Sequence, residues 1–214
     1  MSKALVISLY VLALDVPLLL VLGTILGWVF SRKKFIGREI LLILVLLPVA
    51  LPPSVLGLYL LLFFGQVPFL QPLGLLFSFP GAALAALIPS LPIMVQASRS
   101  GLASVPEHLE EAARTLGDGH WRVFWRVSLP LSRRSLVAGI ALAAARALGD
   151  FGLTLMIAGN IPGRTQTLPL YIYSQIEALE FGKANVAAVL LIAVGIASLA
   201  LVKRMEKGRH ERLL

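Results

Sequence analysis

Long apolar runs broken by short polar intervals dominate the pattern of this sequence. Residues 4–30, 40–64, 79–97, 136–158 and 185–202 each approach or exceed the roughly 20 residues that cross a ~30 Å hydrocarbon core. They predict five membrane-spanning helices. A chain in lipid must satisfy its backbone polar groups internally, and runs this long are unlike the alternating segments of about ten residues that build barrels. The first run is too long for the apolar region of a signal peptide and ends at Trp28-Val29-Phe30 before a basic cluster, so it reads as a retained span. One long polar segment interrupts the series, at about residues 99–131. The prediction is an all-α, polytopic transmembrane bundle forming a single domain over residues 1–214, with no Pro/Ser/Gly linker to divide it.

Composition sharpens this picture. The chain is 58% hydrophobic and 14% charged, with a mean hydropathy of +0.88, which excludes an ordinary soluble domain. Without cysteine it can form neither a disulfide nor a thiolate metal site. The net charge of +8 points to the membrane and not to nucleic acid, because of where the cations fall. Fifteen of the nineteen Lys and Arg residues follow the first run, lie between the third and fourth, or follow the fifth; only Lys3, Arg164 and Lys183 lie opposite, and Arg146 is inside a run. The positive-inside rule then places the N-terminus outside and the C-terminus in the cytoplasm, in agreement with an odd number of spans. No fixed-period repeat or pair of similar halves is present, which weighs against an inverted-repeat carrier.

The polar segment is helical in pattern. Ser104-Val105-Pro106-Glu107 has the spacing of a capping box, and Glu107, Glu110 and Glu111 crowd the first turns, where the helix dipole favours negative charge. The helix is expected to start near Ser104 and to stop at Gly117, with Asp118-Gly119 continuing the turn. A second short helix is expected to follow. Trp121 and Trp125, like Arg122 and Arg126, are four apart, so the two pairs form adjacent stripes suited to lie against headgroups.

Glu111-Ala112-Ala113, three residues, Gly117, nine residues, then Val127-Ser128-Leu129-Pro130 resembles the E-A-A-x3-G-x9-I-x-L-P signature of bacterial ATP-binding-cassette importer permeases, with Val127 in place of isoleucine. The resemblance implies a type I importer permease fold whose cytoplasmic loop forms a coupling helix. By that resemblance Glu110, Glu111, Ala112, Ala113, Leu116, Gly117, Leu129 and Pro130 are the candidate residues of a loop that couples to an ATPase, with Glu111 the charge that pairs across it. The bland alternative is a solvated amphipathic surface helix. Three further stretches, residues 47–53 (LPVALPP), 145–152 (ARALGDFG) and 159–169 (GNIPGRTQTLP), are similar to permeases for molybdate and, more loosely, for sulfate and tungstate. The resemblance implies an inner-membrane permease for an oxyanion, molybdate first. Its implied partners are a second copy of itself, cytoplasmic ATPase subunits that carry ATP and Mg, and an extracytoplasmic binding protein.

Several residues inside the runs carry their own chemistry. Pro48, Pro52 and Pro53 should kink the second span, either to line a path or only to pack. Arg146 and Asp150 are spaced to pair on one helix face, as a structural ion pair or as contacts for a passing anion. Asn160 begins a Gly/Pro-rich turn that is either an outer gate or a simple turn. Asp15 stands alone in the first span, expected to reach the interface, and Gly23 and Gly27 form a GxxxG suited to close helix packing. No G-x-x-x-x-G-K-[ST] occurs, so the chain is expected to be no enzyme and to hold no cofactor. An ion-coupled carrier would need more ionisable relays than Asp15, Arg146 and Asp150 provide. A membrane enzyme finds no metal-ligand spacing in His108, His120 and His210.

Overall fold

The computed structural model describes residues 1–210, with side chains described for residues 1–197 and Ala200. The basic tail from Lys203 that enters the orientation argument lies outside the described side chains. Helix α1 (Ser2–Arg32) runs parallel to α4 (Phe79–Ala103), and the two approach so closely that Gly23 and Gly27 leave no room for a Cβ against Met94 and Ser98. The GxxxG therefore packs helices within the chain. In lipid, where apolar surface alone gives no driving force, small residues that bring backbones together supply the packing. Gly139 meets Ala97 and Gly101 meets Ser135 in the same way, seating α7 (Leu129–Leu148) antiparallel on α4. Leu19, Leu87, Met94, Leu136 and Ala143 fill the space between the three helices.

The second apolar run is not one kinked span. It forms α2 (Arg38–Ala50) and α3 (Pro53–Gln66), bent by 114° at the break. Leu51 is extended (φ −84°, ψ 141°), and Pro52 and Pro53 supply no N–H to carry the helix on. The fourth run also differs from expectation at both ends. Helix begins at α6 (His120–Val123), passes through a π-helical turn at Phe124–Ser128 and continues as α7, so the expected second short helix is the lower end of a span. It stops at Leu148, and α8 (Gly152–Ala158) resumes after a break containing Asp150. The two broken runs meet, with Gly57 of α3 against Met156 of α8 and Pro53 beside Gly152. Between α4 and α6 lies α5 (Glu107–Thr115), and α9 (Leu168–Glu177) and α10 (Phe181–His210) follow α8.

Among the described residues, three helices, α1, α4 and the continuous helix His120–Leu148, are long and apolar enough to cross a membrane, fewer than the five expected; the α2–α3 pair, bent by 114°, makes a fourth only if its two halves together form one broken span. The apolar part of α10 that is described, Phe181–Ala197, is shorter. Asp15 does not reach the interface: it is fully buried, and neither carboxylate oxygen has a hydrogen-bond partner.

Candidate functional site

Helix α5 begins two residues later than the capping-box spacing predicts. Ser104 is helical (φ −77°, ψ −8°), whereas an N-cap residue must be extended, so its hydroxyl turns back to donate to the Gly101 carbonyl at 2.8 Å. Pro106 (φ −62°, ψ 129°) takes the N-cap position, and Glu107 and Glu110 occupy the first turn. The other end is as expected. Gly117 is left-handed at φ +93°; its N–H donates to the Arg114 carbonyl at 2.9 Å, and the Asp118 N–H donates to Ala113 at 3.1 Å. These two bonds make a Schellman cap, which satisfies carbonyls the helix end would otherwise leave orphaned.

The two adjacent glutamates of α5 face opposite ways. Glu111 is exposed, together with Ala112, Leu109 and an 88% exposed Leu116. Glu110 is buried, its side chain 6% exposed, and is held from three sides. Arg32, at the end of α1, donates to its Oε1 at 2.8 Å; the Ser128 hydroxyl donates to the same oxygen at 2.8 Å; Arg114 stands 3.6 Å from Oε2. The Arg32 guanidinium also donates to the carbonyls of Leu102 and Val105, at 3.0 and 2.9 Å. One charged pair therefore ties the ends of α1 and α4, the helix α5, and the π-turn from which α7 springs. The sequence grouped Glu110 with the other coupling-loop residues without showing which way it faces; it is drawn inward by an arginine that lies 78 residues away. Arg32 and Ser128 were both missed, and only their fixed places, one at a span end and one inside the signature, hinted at them.

A cavity of about 320 Å³ opens beside this pair, lined by Trp28, Arg32, Lys33, Glu111, Arg114 and His120 among others. Ala113 is half-buried. Leu129 and Pro130 open α7, where Pro130 needs no N–H, and Ser128 brings that end of the signature against α5.

The candidate path residues fall into two groups. Pro52 and Pro53 make the α2–α3 break, which lies beside the α7–α8 break through Pro53 and Gly152. In that second break Arg146 Nη1 donates to Asp150 Oδ1 at 3.2 Å. Asp150 Oδ2 accepts from the Thr154 N–H at 3.0 Å and the Thr154 hydroxyl at 2.9 Å, so this carboxylate both neutralises Arg146 and caps α8. Asn160 stands apart: its amide donates to Ser174 at 2.6 Å and accepts from Gln166 at 2.9 Å, fastening the turn to α9. Among the described residues no three His, Asp or Glu side chains gather as a metal site.

The family profile described as binding-protein-dependent transport system inner membrane component matches residues 20–210. The molybdenum transport system permease protein ModB of Escherichia coli K12 is 39% identical, over 94% of this chain and 90% of its own. The sulfate transport system permease protein CysW of Synechococcus elongatus is 34% identical, over 100% of this chain and 77% of its own. Among solved structures, the inward-facing MetNI methionine ABC transporter aligns with a TM-score of 0.69 at 16% identity, covering 96% of this chain and 95% of that one.

Proposed function

This chain belongs to the binding-protein-dependent transport system inner membrane components, and from that premise we propose that it is the permease subunit of an ATP-driven importer that carries molybdate across the inner membrane. The observation that carries the coupling role is the opposed pair of glutamates: Glu110 anchors α5 to the span ends while Glu111, Ala112 and Leu116 are left outward for a partner. The partner is a cytoplasmic ATPase, which supplies the ATP and Mg chemistry absent from this chain's residues. Two copies of the permease pair around a path, an extracytoplasmic binding protein delivers the anion, and the N-terminus lies outside.

Movement of α5 on ATPase closure passes through Glu110 to Arg32 and Ser128, and so to α1, α4 and α7 together. Coupling of this kind requires two global arrangements that ATP and the loaded binding protein favour differently. Molybdate is favoured by the 39% identity to a molybdenum permease, and sulfate is the second reading because the sulfate permease matches at 34% along the entire chain.

The test is purification of the tagged chain from the membrane with identification of what comes with it. An ATPase subunit should co-purify in stoichiometric amount and be lost from Glu111→Arg and Leu116→Asp. No ATPase with the unaltered chain, or undiminished ATPase with both variants, would remove the docking assignment.

A further inference from the structure

The sequence holds three tryptophans, and the fold gathers all three in one place. Trp28, one turn before Arg32, stacks on Trp121 with ring centroids 5.9 Å apart and planes 21° from parallel, and meets Phe124 edge-on at 5.6 Å. Phe124 in turn meets Trp125 at 5.6 Å. Lys33 places its ammonium 5.2 Å above the Trp28 ring. Yet Trp121 and Trp125 remain 63% and 61% exposed. Arg122 and Arg126 lie alongside, their side chains also largely exposed, both leaning on Asp118 Oδ1 at 3.3 and 3.6 Å.

The depth of this platform follows from α1. Trp28 closes the apolar run of that helix, and Arg32, Lys33 and Lys34 begin where the run ends. That junction is headgroup depth, where amphipathic rings collect. Trp28 lies one turn further along α1 toward the apolar run than the Arg32 that holds α5, and it lines the cavity that Glu111 of α5 also borders.

We propose that Trp28, Trp121 and Trp125 with Lys33, Arg122 and Arg126 form a binding surface for the headgroup of an anionic phospholipid in the cytoplasmic leaflet. The indoles fill the boundary between headgroup and acyl chain, and the cations meet the phosphodiester. Charge favours an anionic headgroup at the exposed end of the platform: Arg122 and Arg126 share one carboxylate, Asp118, and Lys33 lies over Trp28, while Glu107 and Glu111 border the cavity beside Trp28 and Lys33. Trp28 and Phe124 stand one helical turn before Arg32 and Ser128, so a lipid seated here bears on the two elements that hold Glu110. The inference rests on the permease reading only for which leaflet is cytoplasmic.

The cluster holds every tryptophan in the sequence, so selectively excited tryptophan fluorescence of the full chain reports on this surface. The chain is reconstituted in nanodiscs of phosphatidylcholine containing equal fractions of either brominated phosphatidylglycerol or brominated phosphatidylcholine. Brominated phosphatidylglycerol should quench about fivefold more effectively, the factor for one cation near an anionic surface. Arg122→Gln with Arg126→Gln should abolish the difference, and Asp118→Asn should enlarge it. Equal quenching by the two lipids would overturn the charge selection, and absence of quenching by either would show that the rings face protein or water. Neither result depends on transport, so the permease reading stands or falls separately.

Discussion

Replacing Glu110 with alanine removes the carboxylate that Arg32, Ser128 and Arg114 share, and leaves an Arg32 side chain only 14% exposed with just the exposed Glu107, 3.6 Å away, as counter-ion. Breaking a buried pair by deleting one partner costs about 3–5 kcal/mol. Arg32 keeps its bonds to the Leu102 and Val105 carbonyls and its contact with Glu107, so the expected loss is smaller, about 2–3 kcal/mol, near the value of one hydrogen bond to a charged group plus an unpaired serine. Glu111→Ala, one residue on but exposed, should change stability by no more than about 0.5 kcal/mol. The assay is denaturant unfolding of the purified chain in detergent, with Arg32→Gln, Glu110→Gln and the double variant forming a cycle. A coupling energy of about 1–3 kcal/mol is expected for groups in direct contact. Zero coupling, or equal losses for Glu110→Ala and Glu111→Ala, would refute the idea that the two glutamates have opposite roles.

Three further outcomes follow from the geometry. Gly117→Val forces a β-branched residue into φ +93° and should cost about 1–3 kcal/mol, read as reduced ATPase co-purification with normal membrane insertion; an undisturbed complex would show that the α5 cap is dispensable. Gly27→Leu has no space against Ser98 and the Arg99 backbone, so α1 must separate from α4 at a cost of about 1–3 kcal/mol or more, seen as loss of monodisperse protein on gel filtration; a normal elution profile would contradict the tight α1–α4 seam. Asp150→Ala strips Arg146 of its partner and Thr154 of its cap, and should lower thermal stability more than Asp150→Glu does; equal effects would make the pair incidental.

The elements that were legible in the sequence are those set by local pattern. Gly117 ended α5 because only backbone sterics were involved, and the signature spacing marked the loop because its fixed residues are close in sequence. Hydropathy located the apolar runs but not their breaks: Gly149-Asp150-Phe151-Gly152 barely interrupts the run, though two glycines around an acid were the available signal. Pro52-Pro53 announced a kink but not its size, a 114° bend that sets α3 against α8. Facing was hidden most deeply. Nothing near Glu110 distinguishes it from Glu111 until Arg32 is brought alongside. Asp15 likewise looked interfacial from its position in the run, and is enclosed because α1 packs on α4 along its length.

The most direct measurement is uptake into proteoliposomes carrying the permease with its co-purified ATPase, supplied with the binding protein and molybdate or sulfate. The account requires saturable molybdate uptake that depends on ATP inside the assembled complex and is lost in Glu111→Arg. ATP-independent uptake would contradict it, and uptake of sulfate alone would contradict the choice of substrate.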